Sequence, residues 1–275
     1  MNHSSETLAL LKRIKGDWWQ DELNRREDPN YIRARLETLV NRFGTFRGAR
    51  VLDIGSGCGS SALVMLDCGA THVTGVEPDA RFVDLARRRA KEEGVLDRVQ
   101  FLHTSDASRL SFPDGEFDLV TFNAVIEHIS PTLRRAILHE GYRCLKPGGL
   151  LVIDETPNRL IPFDAHTTGL PLIPWLPLSI SCAMARRFSR IVPRGKSCDE
   201  YVADGIVGST YRFITRAIPH ATCLNARGGD VRWKCVRRSS PAMCYALLAP
   251  IEILLNFFGI PFNAITPSLD LIFTK

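Results

Sequence analysis

The residues best suited to chemistry begin with a glycine-rich stretch. Gly55, Gly57 and Gly59 occupy alternate positions in VLDIGSGCGSS, directly after an apolar run. Where a strand turns into a helix, glycines permit positive φ angles and allow a ligand to approach the backbone closely. The spacing alone therefore fits three alternatives, which are a nicotinamide dinucleotide, S-adenosylmethionine and a tight turn that binds no ligand.

Two further residues narrow this choice. A dinucleotide fingerprint has a third glycine at the position that Ser60 occupies, which disfavours a nicotinamide cofactor without excluding it. Glu77 ends the next apolar run, 22 positions after Gly55. A carboxylate at that strand end accepts hydrogen bonds from ribose hydroxyls, so it would serve either cofactor.

Two histidines are candidate proton acceptors. His128 lies in VIEHI and His166 lies in PFDAHTTGLP. An imidazole near its ordinary pKa is a suitable general base at neutral pH, and a hydroxyl acceptor requires such a base. Each also has a structural interpretation, His128 as a positioning residue and His166 as part of a proline-stiffened loop. Asp164 and His166 could form a partial metal site with Glu127 or His128, but their spacing alone is weak as a metal motif, and no metal is predicted.

Alternating strands and helices have to position these residues. Apolar runs at RVLDIG, HVTGVE, RVQFLH, FDLVTFN and GGLLVIDE predict buried strands. The helical pattern DARFVDLARRRAKEEG, capped by Asp79, separates two of them. Residues 5–45 are predicted to be helical, with Asp28 capping a helix that has Pro29 at its first position. Continuous apolar strands between helices predict an α/β fold with a doubly wound parallel sheet.

The chain changes character after Glu155. Residues 157–205 are rich in proline and predict an insertion without regular structure, of the kind that forms a lid or a binding element. Beyond it, residues 209–218 predict a helix, and ATCLNA and SLDLIFTK predict strands. The chain is therefore divided into three parts, which are an N-terminal helical cap at 1–48, a core at 49–156 and a substrate-covering part of the same domain at 157–275.

Four motifs in order carry a resemblance to a known family. VLDIGSGCG, VTGVEPD, TSDASRLSFPDGEFDLVTFNAVIEHI and LKPGGLLVIDETPNR resemble the successive motifs of class I S-adenosylmethionine-dependent methyltransferases. Within that family, the pattern over residues 49–158 is similar to the ubiquinone-biosynthesis group, also described as methyltransferase type 11. The resemblance implies S-adenosylmethionine as cofactor and a seven-stranded Rossmann-like sheet whose last strand runs antiparallel.

The resemblance also implies which residues bind the methionine and ribose parts of the cofactor. Gly55, Ser56 and Gly57 would hold the methionine part and the ribose. Glu77 would accept hydrogen bonds from the ribose hydroxyls, and Asn123, at the end of the fourth strand, would lie under the sulfonium.

Further residues would bind the adenine by the same resemblance. Pro78 and Asp79 would lie beside the ring, with Asp106 on its amine and a backbone contact from Ala107. Members of the group that bind a divalent cation have an additional glutamate where this chain has Ala124, which again argues against a metal.

The predicted activity is methyl transfer to a small-molecule, sugar or lipid-linked acceptor, with oxygen favoured as the acceptor atom. Polar residues between Asn158 and Trp175 are expected to orient that acceptor. Tyr31 and Arg35 in the cap are expected to close over the cofactor, with Arg35 on its carboxylate. The alternatives are an NAD-dependent oxidoreductase, a non-catalytic partner subunit with a methyltransferase fold and a nucleic-acid methyltransferase. No RNA-binding motif supports the last, so no nucleic acid is predicted as a partner.

Composition limits the class of protein and its location. The 275 residues have a formal net charge of +5 and 45% hydrophobic residues, as expected for a globular protein. Eight scattered cysteines without a C-x-x-C pair predict reduced thiols and a cytoplasmic location. The apolar stretch 241–260 carries one charge, Glu252, and is interrupted by Pro250. It predicts a buried or substrate-covering helix, with peripheral membrane contact as the alternative. The oligomeric state is not predicted.

Overall fold

A computed structural model describes residues 3–226, 250–251, 253–255, 257–258 and 262–275 of the chain. Most of the apolar stretch 241–260 lies outside the described residues, so the helix predicted there stays a prediction. Within the described ranges, no helix has both the length and the apolar character that crossing a membrane requires.

Strands that follow the predicted apolar runs build the main sheet. The strand bounds are β1 Arg50–Ile54, β2 His72–Glu77, β3 Val99–His103, β4 Phe117–Asn123, β5 Leu145–Pro157, β6 Phe163–Asp164, β7 Leu170–Pro171, β8 Thr222–Cys223 and β9 Ser268–Thr274. Seven of them form one sheet in the order β3-β2-β1-β4-β5-β9-β8. β1 is parallel to β2 and to β4, and β2 is parallel to β3. The predicted seven-stranded α/β sheet is confirmed.

The last strand runs against β5, as the family resemblance implies. The Gly148 amide donates to the Lys275 carbonyl at 2.9 Å, and the Lys275 amide donates to the Gly149 carbonyl at 3.3 Å. Further along β5, the Glu155 amide donates to the Asp270 carboxylate at 3.1 Å. Residue numbers therefore rise along β5 as they fall along β9, and the sheet is mixed.

Helices connect these strands. Their bounds are α1 Ser5–Lys15, α2 Trp19–Glu27, α3 Ile32–Val40, α4 Ser60–Asp67, α5 Ala80–Glu92, α6 Arg134–Cys144, α7 Leu178–Phe188, α8 Cys198–Ala203 and α9 Tyr211–Ala217. Asp79 caps α5 as predicted, because its carboxylate accepts from the Arg81 amide at 2.8 Å. The prediction that Asp28 caps the next helix is wrong. Its carboxylate accepts from the Asn30 amide at 2.8 Å, and this turn delays the start of α3.

Two compact units divide the chain. Unit 1 comprises residues 1–123, 139–152 and 274–275, and unit 2 comprises residues 124–138 and 153–273. In unit 1, apolar side chains of β1, β2 and β4 are buried, as the continuous apolar runs predict. Unit 2 has its own apolar cluster, which includes the fully buried Tyr201 of the insertion. The three-part division at residues 48 and 156 stays a prediction.

The proline-rich insertion is folded, contrary to the prediction that it lacks regular structure. β6 and β7 pair as a short antiparallel hairpin, and α7 and α8 follow it. Cys182 in α7 and Cys198 at the start of α8 form a disulfide, with their Cα atoms 5.5 Å apart. The prediction of reduced thiols is therefore wrong for this pair, which the two helices bring together across 16 residues without a recognisable motif.

Candidate functional site

The loop between β1 and α4 needs its three glycines. The φ angle is +74° at Gly55, +52° at Gly57 and +83° at Gly59, in the region that favours glycine. A Cβ atom at Gly59 would lie 2.9 Å from the Phe101 ring, so this glycine lets the loop pack closely on β3. A Cβ atom at Gly57 would meet nothing within 4 Å, so open space suited to a ligand adjoins this residue.

Ser56 and Glu77 add polar groups to the glycine loop. Ser56 is buried, and its hydroxyl has no hydrogen-bond partner among the described residues. The Glu77 carboxylate is also buried and accepts from the amides of Gly57 at 3.0 Å and Asp79 at 3.1 Å. Burial raises the pKa of Glu77. Each carboxylate oxygen has a second lone pair, so the group can also accept hydrogen bonds from ribose hydroxyls.

Two acids predicted beside the adenine lie on neighbouring strand-end loops. The Asp79 carboxylate pairs with Arg81 at 2.6 Å, which lowers the pKa of Asp79. Asp106 is exposed after β3, and hydrogen bonds from the Ser108 hydroxyl and amide lower the pKa of Asp106. Ala107, between Asp106 and Ser108 in the chain, is half-buried. Their adenine contacts, and that of Pro78, stay predictions.

Asn123 ends β4 and accepts a hydrogen bond from the N-terminal helix α3. Arg35 of α3 is buried, and its Nη2 donates to the Asn123 side-chain oxygen at 3.0 Å. The Tyr31 ring centre lies 5.9 Å from the Arg35 guanidinium carbon. The structure thus brings the two predicted cap residues together at the end of β4. A contact between Arg35 and the cofactor carboxylate stays a prediction.

A buried network behind the loop was missed by sequence reasoning. The fully buried Arg89 of α5 donates to the Cys58 carbonyl at 3.0 Å and to the Ser60 hydroxyl at 2.9 Å. Ser60 donates in turn to the Glu22 carboxylate at 2.6 Å, and Lys15 pairs with that carboxylate at 3.1 Å. The serine that interrupts the dinucleotide fingerprint therefore joins α2 and α5 to the start of α4. That interruption was the only signal in the sequence.

Unit 2 brings the two candidate histidines together. The ring centres of His128 and His166 lie 5.5 Å apart. Glu127 joins them, and one potential ligand atom from each of the three residues lies within 4.8 Å of the others. This donor set could also hold a cation, so the sequence prediction of no metal stays a prediction. The sequence offered Glu127 only as a possible partner in a weak metal motif, and Glu127 is not among the predicted site residues.

Hydrogen bonds at Nδ1 set the tautomer of each neutral imidazole. His128 Nδ1 lies 2.6 Å from the Ala203 carbonyl, which can only accept, so this nitrogen carries the proton. His166 Nδ1 lies 3.0 Å from the Thr167 hydroxyl, which itself donates to the Asp204 carbonyl at 3.0 Å. The hydroxyl oxygen must therefore accept from His166. In both neutral rings Nε2 has the lone pair that a general base uses.

Glu127 is a fully buried acid beside these rings. Neither of its carboxylate oxygens has a hydrogen-bond partner among the described residues, and the nearer one lies 3.8 Å from His128 Nε2. Burial raises the pKa of Glu127 to about 8. Gly205 makes room for the group, because a Cβ atom there would lie 2.8 Å from the His166 ring and 3.1 Å from the Glu127 side chain. At neutral pH, a protonated carboxyl therefore lies beside the two imidazoles.

Other polar residues of the insertion stabilise the insertion itself. Asp164 accepts from the amides of His166, Thr167 and Thr168 at 3.1, 2.9 and 2.8 Å, so it orients the backbone at His166. Asn158 donates to the carbonyls of residues 264 and 266, both at 2.8 Å. These contacts favour a structural role for Asn158 and Asp164, and the expectation that they orient an acceptor stays a prediction.

A cavity of about 440 Å³ adjoins His128 in unit 2. Its lining combines small polar and apolar side chains and consists of His128, Ser130, Pro131, Thr132, Leu178, Asp199, Val202 and Ala203. Such a mixture suits a small organic group. Another cavity, of about 390 Å³, lies at the amino ends of β1 and β4 in unit 1 and contains no predicted site residue.

Comparison with known proteins identifies the domain around the glycine loop. Residues 51–149 match the family model described as a methyltransferase domain. A demethylmenaquinone methyltransferase of Clavibacter sepedonicus is 36% identical over 159 residues, covering 58% of each chain. A 27-O-demethylrifamycin SV methyltransferase of Amycolatopsis mediterranei is 32% identical, over 53% of this chain and 54% of the relative. A ubiquinone biosynthesis O-methyltransferase of Maricaulis maris is 29% identical, over 62% of this chain and 70% of the relative.

These matches cover only part of each protein, which limits the residues that can be compared. The chain spans little more than half the length of two of these relatives and 70% of the third. The matched family segment contains the glycine loop, Glu77, Asp106, Asn123 and the Glu127–His128 pair, but it ends before His166. The likeness therefore covers the predicted cofactor residues and leaves the insertion without a counterpart in the family model.

Proposed function

We propose that this chain is a methyltransferase of the class I S-adenosylmethionine-dependent type and that it methylates an oxygen atom of a small-molecule, sugar or lipid-linked acceptor. The observation that carries this proposal is the glycine loop with Glu77. The unpartnered Ser56 hydroxyl, the open space at Gly57 and the buried Glu77 carboxylate fit the amino-acid and ribose groups of the cofactor. S-Adenosylmethionine supplies an electrophilic methyl group on its sulfonium.

The same loop disfavours a nicotinamide dinucleotide. In dinucleotide-binding domains, the pyrophosphate lies at the N-terminus of the first helix. Here the carboxylate of Glu22 accepts a hydrogen bond from Ser60, the first residue of α4. The Coulomb interaction with Lys15 and Arg89 lowers the pKa of Glu22 although its burial acts in the opposite direction, so this carboxylate is charged. The Ser60 side chain and the Glu22 carboxylate therefore occupy the position where a dinucleotide fingerprint has its third glycine.

His128 is the proposed general base. Its Nε2 lone pair would accept the proton of the acceptor hydroxyl while the oxygen attacks the methyl carbon in line with the leaving sulfur. The Ala203 carbonyl would stabilise the resulting imidazolium through the Nδ1–H bond. The proposal assigns the cavity beside His128 to the acceptor and assigns His166 to the orientation of this site.

The acceptor class rests on the surroundings of His128 and on one exposed stretch. The cavity can hold the ring or polar end of an acceptor. Ile253, Leu254, Phe257 and Phe258, in the described part of 241–260, are exposed, which supports peripheral membrane contact and a lipid-linked acceptor. The proposal includes no nucleic-acid partner.

Calorimetry with S-adenosylmethionine tests the cofactor assignment. We expect the donor and its demethylated product to bind, and we expect Glu77→Ala to weaken both by more than about tenfold because each charge-assisted hydrogen bond contributes roughly 1.5–3 kcal/mol. Glu116→Ala is the matched control. Glu116 directly precedes β4, at the end of the strand opposite the predicted cofactor residue Asn123, and its carboxylate pairs with Arg50. Absence of binding by either ligand, or binding of NAD in their place, would contradict the proposal.

A transfer assay then tests the activity. Methyl-labelled S-adenosylmethionine is incubated with the protein and with separate polar and lipid fractions of a cell extract. We expect label in a product whose methyl group resists mild acid and base, as an ether does. A protein that binds the donor but labels no fraction would be the non-catalytic partner subunit instead.

A further inference from the structure

The proline-rich insertion exposes an unusual number of large apolar side chains. Within residues 156–198 they are Leu160, Phe163, Leu172, Trp175, Ile180, Phe188 and Ile191. Trp175 alone is 57% exposed, although its indole N–H donates to the Leu160 carbonyl at 3.2 Å and so holds the ring in place. We call this set, with the arginines named below, the insertion face.

Hydrogen bonds show that these side chains belong to one local structure. The hairpin pairs Phe163 with Pro171, next to Leu172, and the Trp175 amide donates to the Leu172 carbonyl at 2.9 Å. At the other end of the hairpin, the amide of Arg190 donates to the residue 168 carbonyl at 2.8 Å. The exposed Ile191 therefore lies beside the hairpin that carries Phe163, rather than as an isolated apolar residue.

The charge of the insertion face has one sign. Its exposed arginines are Arg159, Arg186, Arg187, Arg190 and Arg194. The only acid between residues 156 and 198 is Asp164, which is buried and accepts backbone hydrogen bonds. The guanidinium groups of Arg186 and Arg194 donate to the carbonyls of Lys196 and Ser189, respectively, and not to carboxylates. The exposed surface of this segment is thus apolar and cationic.

We infer that the insertion face binds the surface of an anionic phospholipid membrane. Exposed tryptophan, phenylalanine and leucine side chains next to arginines are the composition of segments that lie at the level of lipid headgroups. The arginines would contact lipid phosphates, and the apolar side chains would enter the acyl boundary. An RNA or an acidic protein would satisfy the arginines but would leave the aliphatic side chains in water. This surface lies outside 241–260, and the inference does not depend on methyl transfer.

Vesicle flotation tests the inference with the whole protein. We expect flotation with phosphatidylcholine vesicles that contain phosphatidylglycerol and little flotation with phosphatidylcholine alone. Reversing two charges in Arg187→Glu/Arg190→Glu should lower the partition coefficient at least about tenfold, because each arginine near such a surface contributes to the attraction. Arg212→Glu/Arg216→Glu, which reverses two exposed charges on α9, is the matched control and should change it little.

Tryptophan fluorescence tests the apolar part of the face. Addition of anionic vesicles should shift the emission of wild type to shorter wavelength. Trp18→Phe should show the same shift; it is the matched control, because Trp18, between α1 and α2, is likewise exposed, at 62%. The shift should be lost in Trp175→Phe. Unchanged melting temperatures would show that the variants are folded. Flotation that survives both Trp175→Ser and the arginine reversals would overturn the inference and assign binding to 241–260. Absence of flotation would also overturn the inference, and so would a protein that binds RNA but does not float with the vesicles.

Discussion

The surroundings of the acid–histidine cluster set the tautomer of each neutral imidazole and the protonation of the carboxyl. The Ala203 carbonyl holds the proton of neutral His128 on Nδ1, and the Thr167 hydroxyl does so for His166. Burial without a hydrogen-bond partner keeps Glu127 protonated at neutral pH, since its pKa is raised to about 8. These environments make Nε2 of an imidazole the basic atom of the cluster, whereas the carboxyl is neutral.

Replacement of the proposed base tests this interpretation. We expect His128→Gln to lower kcat by about 10²–10⁴-fold, the contribution of a general base, without changing the Kd of S-adenosylmethionine. We expect His166→Gln to lower kcat by less than about tenfold, because that ring has no assigned proton transfer. Steady-state transfer rates across pH, together with calorimetry of the donor, provide the measurement. Equal losses in the two variants would mean that the histidines act together, and a larger loss in His166→Gln would mean that His166 is the base.

Glu127→Gln tests the buried carboxyl through stability. In the folded protein the pKa of Glu127 is about 8, against an ordinary value of 4.5. The stabilisation from its protonation is fully present below the ordinary value and is lost as the pH rises through about 8. As the pH rises from 4.5 to about 8, the unfolding free energy of wild type should therefore fall relative to that of the variant, by up to about 1.4 kcal/mol per pH unit. Urea denaturation across the window measures the difference, and a pH-independent difference would contradict the raised pKa.

At the scale of elements, the sequence predicted the strands well and the insertion poorly. β1, β2 and β4 are largely apolar runs with polar or glycine residues at or next to their ends, so burial alone identifies them. α7 was missed because its buried face consists of Ser181, Cys182 and Ala185, which are too small to produce an apolar helical period. The meeting of His128 with His166 depends on that insertion and could not be read from spacing.

Helices α2 and α5 support the glycine loop through Ser60, and Ser60→Ala tests this support. The variant removes a hydroxyl that links Glu22 to Arg89, so we expect the unfolding free energy to fall by about 1–3 kcal/mol. We also expect the Kd of S-adenosylmethionine to rise, because Arg89 holds the loop carbonyl of Cys58.

Ser61→Ala is the matched control for this prediction. The Ser61 hydroxyl donates to Asp53 at 2.6 Å within the core, so its loss should destabilise the protein to a similar extent. It should leave the Kd of the donor nearly unchanged, because among the described residues the Ser61 hydroxyl bonds Asp53 of β1 and no atom of the loop. Denaturation and calorimetry on both variants separate loop support from general stability, and a similar rise in Kd for both would contradict the assigned role.

At the scale of the whole molecule, the assigned groups separate by unit. The predicted cofactor residues belong to unit 1, whereas the acid–histidine cluster, the disulfide and the insertion face belong to unit 2. The family motifs supply the predicted cofactor residues of the first unit and, in the second unit, the Glu127–His128 pair. The positions of the functional groups in the second unit depend on side-chain packing within the insertion. Residue spacing in a single sequence does not predict that packing. This separation means that changes in the insertion can be distinguished from changes at the cofactor.

The disulfide offers the clearest test of that separation. Closure of a loop of about 15 residues restricts the unfolded chain and stabilises a protein by about 3 kcal/mol, so reduction of Cys182–Cys198 should lower the unfolding free energy by a similar amount. Cys182→Ser/Cys198→Ser should show the same loss and no further response to reductant, whereas Cys68→Ser should retain the response of wild type. The Kd of S-adenosylmethionine should change less than about twofold in either case, because the predicted cofactor residues belong to unit 1 and the disulfide belongs to unit 2. Denaturation with and without reductant, followed by calorimetry, measures both quantities, and a wild-type stability that is indifferent to reductant would show that the cysteines are not bonded in solution.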